Sequence, residues 1–311
     1  MSPTRIRAAA DSDAFADAVF RGRPFVGAAA QAAGIVTEHE LRTLFRRVLP
    51  GIYQFEGFDC DVYTRVRSAW LWAPRGAILA GPAAALLHGE YQVAPVHAFR
   101  SVDLCLPHSV RAPNGIRIRR LRQPLTSADI SERHAMRCTS PERTALDLAR
   151  WTRDPLAATI AVDALCNVTG TPATDVERIA HSTSGLHGRR RALYVLGRSD
   201  HRADSPRETR VRLIIADSSL PQPDLQVNIA DSAGRHIVKA DLAYRKYRVA
   251  LLYDGEHHLD REQRDWDSAM TARLFDEGWL DLRITAGMLR DSDTLLRRIA
   301  EKLRRQGCPD I

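Results

Sequence analysis

Apolar and polar positions follow three successive patterns along the chain. In the first, the alanine-rich run from Phe25 to Ala33 predicts a helix that Gly34 breaks. Thr37 and Glu40 have capping-box spacing, so a second helix is expected to start at Thr37. Leu41, Leu44, Phe45 and Val48 recur at helical intervals and predict its buried face. Pro50-Gly51 ends it, and Ile52-Tyr53-Gln54-Phe55 reads as a short strand. Helix, tight turn, helix, strand is the order of a winged helix-turn-helix, expected over residues 1–58. Arg42, Arg46 and Arg47 then fall opposite Leu41 and Phe45, as on a recognition helix or on an ordinary solvated face.

The second pattern, residues 59–204, is mixed and predicts an α+β region. Val66, Ala69, Trp70 and Ala73 mark one helix, and the small residues from Gly81 to His88 mark another. Residues 102–106 and 116–118 read as strands around the turn Ala112-Pro113-Asn114-Gly115. Ser140 with Pro141 is a cap followed by the first helical position, and more helices follow through Trp151 and Leu156 to Ala180. The basic segment from Gly185 ends in the polar run Ser199 to Asp204, where the last domain boundary is expected. Its Arg189, Arg190 and Arg191 read as a helix surface or as a track for DNA phosphates.

The third pattern, residues 205–311, is the clearest. Ser205-Pro206-Arg207-Glu208 starts a helix, and Leu220-Pro221 follows its end. Strands are expected from Leu225 to Ile229, Ile237 to Leu242, and Arg248 to Tyr253, the last nearly all apolar as in a strand buried on both faces. A helix through Met270 and Leu274, a strand from Trp279 to Ile284 and a helix from Ser292 to Arg305 complete an α/β layout.

Charge shifts the expectation towards an acidic partner. The formal net charge is +7, with arginine supplying nearly all of the surplus, and arginine forks suit phosphates and guanine edges. A hydrophobic fraction of 44% is that of a globular chain. No apolar run has the length of a membrane span, and the N-terminal twenty residues lack a signal-peptide centre, so a cytoplasmic location and no membrane partner are expected. Cys60, Cys105, Cys138, Cys166 and Cys308 are scattered and read as small buried apolar residues.

The stretches SPRETRVRLIIADSSLPQP, ADLAY, YRVALLYDGEHH and GWLDLRIT resemble, in that order, the PD-(D/E)xK nuclease superfamily in its very-short-patch repair branch. The stretches FVGAAAQAAGIVTEHELRTLFRRVLPGIY, ILAGPAAALLHG and TSPERTALDLAR resemble AbiEi-type antitoxins. The first resemblance implies a restriction-endonuclease-like α/β domain in which carboxylates hold Mg²⁺ or Mn²⁺ against a scissile phosphate. It implies Asp241 and Asp254 as metal ligands, Glu208 as an accessory acid, and His257 or His258 as acid or base. This chain departs from the family pattern at Leu252, where related chains commonly carry Glu, at Asp254, the superfamily's Lys position, and at Met270, where Arg is common. The second resemblance implies a DNA-binding regulator with a cognate toxin as partner. Together they give two expectations: an antitoxin-type regulator carrying an altered nuclease-fold domain, needing no cofactor, or a Mg²⁺-dependent endonuclease acting on double-stranded DNA.

The same residues have plainer readings. Glu208 is also the third residue of a capping box with Ser205, and Asp254-Gly255 is a common turn pair. Asp241, between Ala240 and Leu242, needs a partner or a metal if buried, whereas His257-His258 also suits an exposed loop. His88, Trp70 and Trp279 read as core.

Overall fold

A computed structural model of the chain describes residue 19 and residues 21–89, 101–106, 110–121, 123–253 and 261–309, with backbone alone over 261–267. The described residues form a mixed α/β structure with three sheets. Its contacts divide it into two units. One comprises residues up to Thr152 together with Thr174–Leu193, the other Arg153–Ala173 together with Tyr194 onwards. The division differs from boundaries at 58 and 204. Leu49 and Ile52 share a core cluster with Val66 and Trp70, and the helix Pro155–Thr169 packs on the helix Pro206–Ala216.

In the first unit, strands β1 (Phe25–Val26), β2 (Phe45–Leu49) and β3 (Ile52–Phe55) form an antiparallel sheet in the order β1-β3-β2. The helix between β1 and β2 is capped as the sequence indicates. Thr37 Oγ1 accepts from the Glu40 N–H at 3.2 Å, and Glu40 Oε2 accepts from the Thr37 N–H at 2.7 Å. The helix covers only Glu38–Thr43, however. The expected continuation to Val48 is a strand, because Pro50-Gly51, with Gly51 at φ +78°, closes a hairpin that pairs Leu49 with Ile52 and Phe45 with Phe55. Phe45 packs edge-on to Phe25 and Phe55, while Leu44 is exposed. The helix expected from Phe25 likewise begins only at Gly27.

The unit's second sheet has strands β4 (Ile78–Ala80), β5 (Val102–Cys105), β6 (Ile116–Arg119), β7 (Ile130–Arg133) and β8 (Met136–Thr139), in the order β6-β5-β4-β8-β7. β5 and β6 are parallel neighbours, with Val102 opposite Ile116. β7 and β8 form a hairpin whose turn places His134 and Ala135 at φ 51° and 56°, without the glycine or asparagine that signals such turns. Gly81 holds φ +57° where an added Cβ would come within 3.0 Å of Asp103 Oδ2, so glycine is required there.

In the second unit, β9 (Asp224–Ala230), β10 (His236–Tyr244), β11 (Val249–Tyr253) and β12 (Leu280–Ile284) form one sheet in the order β12-β11-β10-β9. β11 and β12 are parallel, and the other pairs are antiparallel. One apolar cluster joins Leu242, Leu251 and Leu282 to Val211 and Ile215 of the Pro206 helix and to Leu295, Ile299 and Leu303 of the helix Ser292–Arg305. Another joins Ala240, Ala250 and Leu252 to Met270 and Leu274 of the helix Arg261–Asp276. Among the described residues, no helix is long and apolar enough to cross a membrane. Cys105, Cys138, Cys166 and Cys308 are buried thiols, as their isolated positions suggest, whereas Cys60, expected to be buried with them, is only partly so.

Candidate functional site

The second unit gathers its functional side chains where the Pro206 helix begins. Ser205 caps the helix, with its side chain accepting from the Glu208 N–H at 3.2 Å, and Pro206 occupies the first turn. Glu208 is only 5% exposed. Its Oε2 accepts from the Asp204 N–H at 3.0 Å and from Gln226 Nε2 at 2.5 Å. The carboxylate therefore takes the backbone N–H of the residue before the cap, in place of the Ser205 N–H of a capping box, and a side chain on β9 besides.

Asp241 is half-buried on β10. Its Oδ2 accepts from the Tyr253 N–H at 2.6 Å. Leu242 pairs with Leu251 on one side and Leu225 on the other, so the next step along β10 sets Asp241 opposite Leu252 and Gln226. Gln226 adopts φ +53° within β9, an irregularity at the strand position opposite Asp241.

The acids are electrostatically coupled. Burial raises the Glu208 pKa, and the Asp241 charge adds to the rise, against the hydrogen bonds from Asp204, Ser205 and Gln226. Burial likewise raises Asp241, with the Tyr253 N–H opposing, the Asp204 charge adding and Lys239 opposing. Lys239 Nζ lies 3.0 Å from Asp204 Oδ2, and Asn167 Nδ2 donates to Asp204 Oδ1 at 3.1 Å. Arg207 lies over the Tyr253 ring, 4.8 Å from its centroid.

Behind these residues, Asp163 of the Pro155 helix anchors the Pro206 helix. Its Oδ2 accepts from Thr209 Oγ1 at 2.9 Å and Arg212 Nη2 at 2.7 Å, and its Oδ1 from the Asp200 N–H at 2.8 Å. Burial raises its pKa to about 6, against the pull of Arg212 and these bonds. Sequence reasoning missed Asp163, Asp204, Gln226 and Lys239. A lone Asp in the apolar run of residues 155–169 was the one available signal.

Of the expected site residues, the structure brings together Glu208 and Asp241. Asp254, His257 and His258 lie outside the described residues. Among the described residues, no group of three or more His, Cys, Asp or Glu side chains is placed to hold a metal ion. Leu252 and Met270, two of the departures from the family pattern, are 6% and 3% exposed and share one apolar cluster.

The expected arginine face in the first unit does not form. Arg42, on the capped helix, is exposed beside Glu38 at 3.3 Å. Arg46 and Arg47 lie on β2, because the hairpin replaces the helix there. Arg46 is turned inward, donating to Gln54 Oε1 at 2.9 Å and to the Phe58 carbonyl. Arg47 is exposed. In the linker, Arg189 donates to the Thr183 carbonyl and Arg191 to the Arg150 carbonyl at 3.4 Å, whereas Arg190 is exposed.

The stretch TSPERTALDLAR folds into the helix Pro141–Trp151 and buries an ionic cluster. Asp147 is fully buried between Arg143, with Nε at 3.2 Å, and Arg150, with Nε at 2.7 Å. Arg119 and Arg150 lie over the Trp151 ring at 4.2 and 4.5 Å from its centroid. These partners account for Asp147 as a structural ion cluster.

No family model matches the chain, and no solved structure matches it. It is 30% identical over 169 residues to uncharacterized proteins from two strains of Mycobacterium tuberculosis, an alignment covering 54% of this chain. The alignment spans 62% of the length of these curated relatives.

Proposed function

We propose that this protein binds duplex DNA and that its second unit carries a divalent-metal-assisted phosphodiester site centred on Glu208 and Asp241. The observation that carries the reading is the carboxylate pair itself, Glu208 buried and Asp241 half-buried, linked by Gln226, which donates to Glu208 from the strand position opposite Asp241. Asp204 and Gln226 hold Glu208 through Oε2, and the Tyr253 N–H holds Asp241 through Oδ2, so each carboxylate is oriented by the chain and can offer an oxygen to a cation. Two such oxygens fit Mg²⁺, which commonly takes one or two carboxylates and fills its other positions with water and substrate phosphate oxygens. A divalent ion there would lower the pKa of a bound water and neutralise charge on a phosphoryl oxygen. The chain's own contribution is positional. Asp163 fixes the Pro206 helix, Gln226 orients Glu208, and the Tyr253 N–H orients Asp241. The order of helix, three strands, helix and strand supports a restriction-endonuclease-like fold for this unit.

The test is nicking of supercoiled plasmid in Mg²⁺ or Mn²⁺. The wild type is expected to nick and Asp241→Ala to be inactive, and a wild type inert in both metals would refute the hydrolytic reading.

A second reading, an antitoxin-type regulator with a cognate toxin, is favoured by the apolar Leu252–Met270 cluster beside the acids. The winged-helix reading of β1, β2, β3 and the capped helix belongs with it. It predicts tight binding to the protein's own promoter with no nicking in either metal.

A further inference from the structure

We infer that Lys239 and Arg207 form a cationic rim over the Glu208–Asp241 pair that grips a backbone phosphate of duplex DNA. The inference rests on the proposed DNA-directed site and adds the groups that hold its substrate.

Lys239 stands two residues before Asp241 on β10, and its Nζ lies 3.0 Å from Asp204 Oδ2, the residue whose N–H donates to Glu208 Oε2 at 3.0 Å. It is exposed, whereas Ala240 and Leu242 between and beyond the pair are buried. Its charge also acts on Asp241. Arg207 is the residue before Glu208 and is exposed at the start of the same helix. Its guanidinium rests on Tyr253, whose N–H holds Asp241. Each cation is thus connected to the acids through one intermediate residue, Asp204 for Lys239 and Tyr253 for Arg207.

These connections orient the cations without engaging them fully. The Lys239–Asp204 pair is about half exposed on both sides, and such pairs contribute little net stability. Stacking on Tyr253 leaves the edge N–H donors of Arg207 available to a planar or forked acceptor. A phosphate beside two carboxylates is repelled by them, and two cations at the rim counter that repulsion before any metal is bound. Phosphodiester oxygens suit both groups, a point charge from lysine and a fork from arginine.

The test is fluorescence anisotropy of a labelled duplex with the full-length protein in EDTA, across about 50–200 mM salt. Each lost phosphate contact lowers the salt slope by about 0.9, so the double variant Lys239→Gln, Arg207→Gln is expected to lose about 1.8. The weakening should be the same for unrelated duplex sequences, because phosphate contacts do not read bases. Lys239→Arg keeps the charge and should keep the slope. Asp241→Asn removes a repulsive charge and should tighten metal-free binding. An unchanged slope in a double variant that melts like wild type would overturn the rim. Should that variant melt early, weaker metal-free binding by Asp241→Asn would overturn it instead. A wild type that never nicks plasmid, with the double variant losing slope, keeps the rim and removes the hydrolysis. The converse result keeps the hydrolysis and removes the rim.

Discussion

Asp241 Oδ2 accepts a hydrogen bond from the Tyr253 N–H at 2.6 Å, one step past the last ladder pair of β10 with β11, Leu242 with Leu251. A carboxylate takes the donor that the next ladder step would use, so the acid sits where the strands separate. Glu208 approaches the same point from the Pro206 helix, and its pKa is raised partly by Asp241.

Both acids hold raised pKa values, so the folded state retains their protons longer than the unfolded chain. Their favourable contribution is complete below the ordinary carboxylate range, about 4, and is lost as pH rises through the raised values. A divalent cation binds the ionised pair. Mg²⁺ should therefore raise the melting temperature more at pH 8 than at pH 4. At one hundred times its dissociation constant the stabilisation is about 2.7 kcal/mol. Thermal melts with Mg²⁺ or EDTA at both pH values check this, and equal curves at pH 8 would speak against the metal.

Leu252→Glu places a carboxylate in the apolar cluster that holds Met270 and Leu274. The expected loss is about 3 kcal/mol or more, the scale of an uncompensated buried charge. Adding Met270→Arg should recover part of it, with a coupling of about 0.5–3 kcal/mol. Urea denaturation of both single variants and the double variant measures the coupling. Rescue of Leu252→Glu by Mg²⁺ alone would instead identify that position as a metal ligand site.

Arg46 should matter for stability and not for DNA. Arg46→Ala removes the bonds to Gln54 and the Phe58 carbonyl, and its expected cost is about 1.5–3 kcal/mol. Arg42→Ala and Arg47→Ala should leave melting nearly unchanged and, if this unit contacts phosphates, lower the salt slope of DNA binding by about 0.9 each. An Arg46→Ala protein that melts normally but binds DNA with a reduced slope would reverse this assignment.

Asp163, with its pKa raised to about 6, makes a pH prediction of its own. Its contribution is present below about 4 and is lost as pH rises through about 6. Asp163→Asn keeps a neutral group at that position, so the decline in stability across this window should flatten in the variant. Denaturant melts at half-unit pH steps test it, and parallel wild-type and variant profiles would show that Asp163 does not titrate there.

Local starts and stops are written in short windows of the chain. Thr37, Ser140 and Ser205 cap helices where their spacing indicates, and Pro141 and Pro206 occupy first turns. The four strands and the long helices of the second unit also follow from apolar period and length, with ends shifted by a few residues. These features depend on hydrogen bonds and side-chain periods spanning a few residues, so a short window contains their cause.

Other features follow from long-range packing. Leu41, Leu44, Phe45 and Val48 fit a helical face, yet the hairpin at Pro50-Gly51 and the ring contacts of Phe25, Phe45 and Phe55 make residues 45–49 a strand. That choice turns Arg46 inward and dissolves the expected arginine face. Glu208 and Asp241 were legible as candidate acids, but Asp204, Gln226, Lys239 and Asp163 join them only through strand register and helix packing. Asp163 and Thr209, for example, are 46 positions apart when they bond. Partnerships of that length depend on which strands and helices become neighbours, and that outcome is set by burying the apolar surface of the whole unit at once.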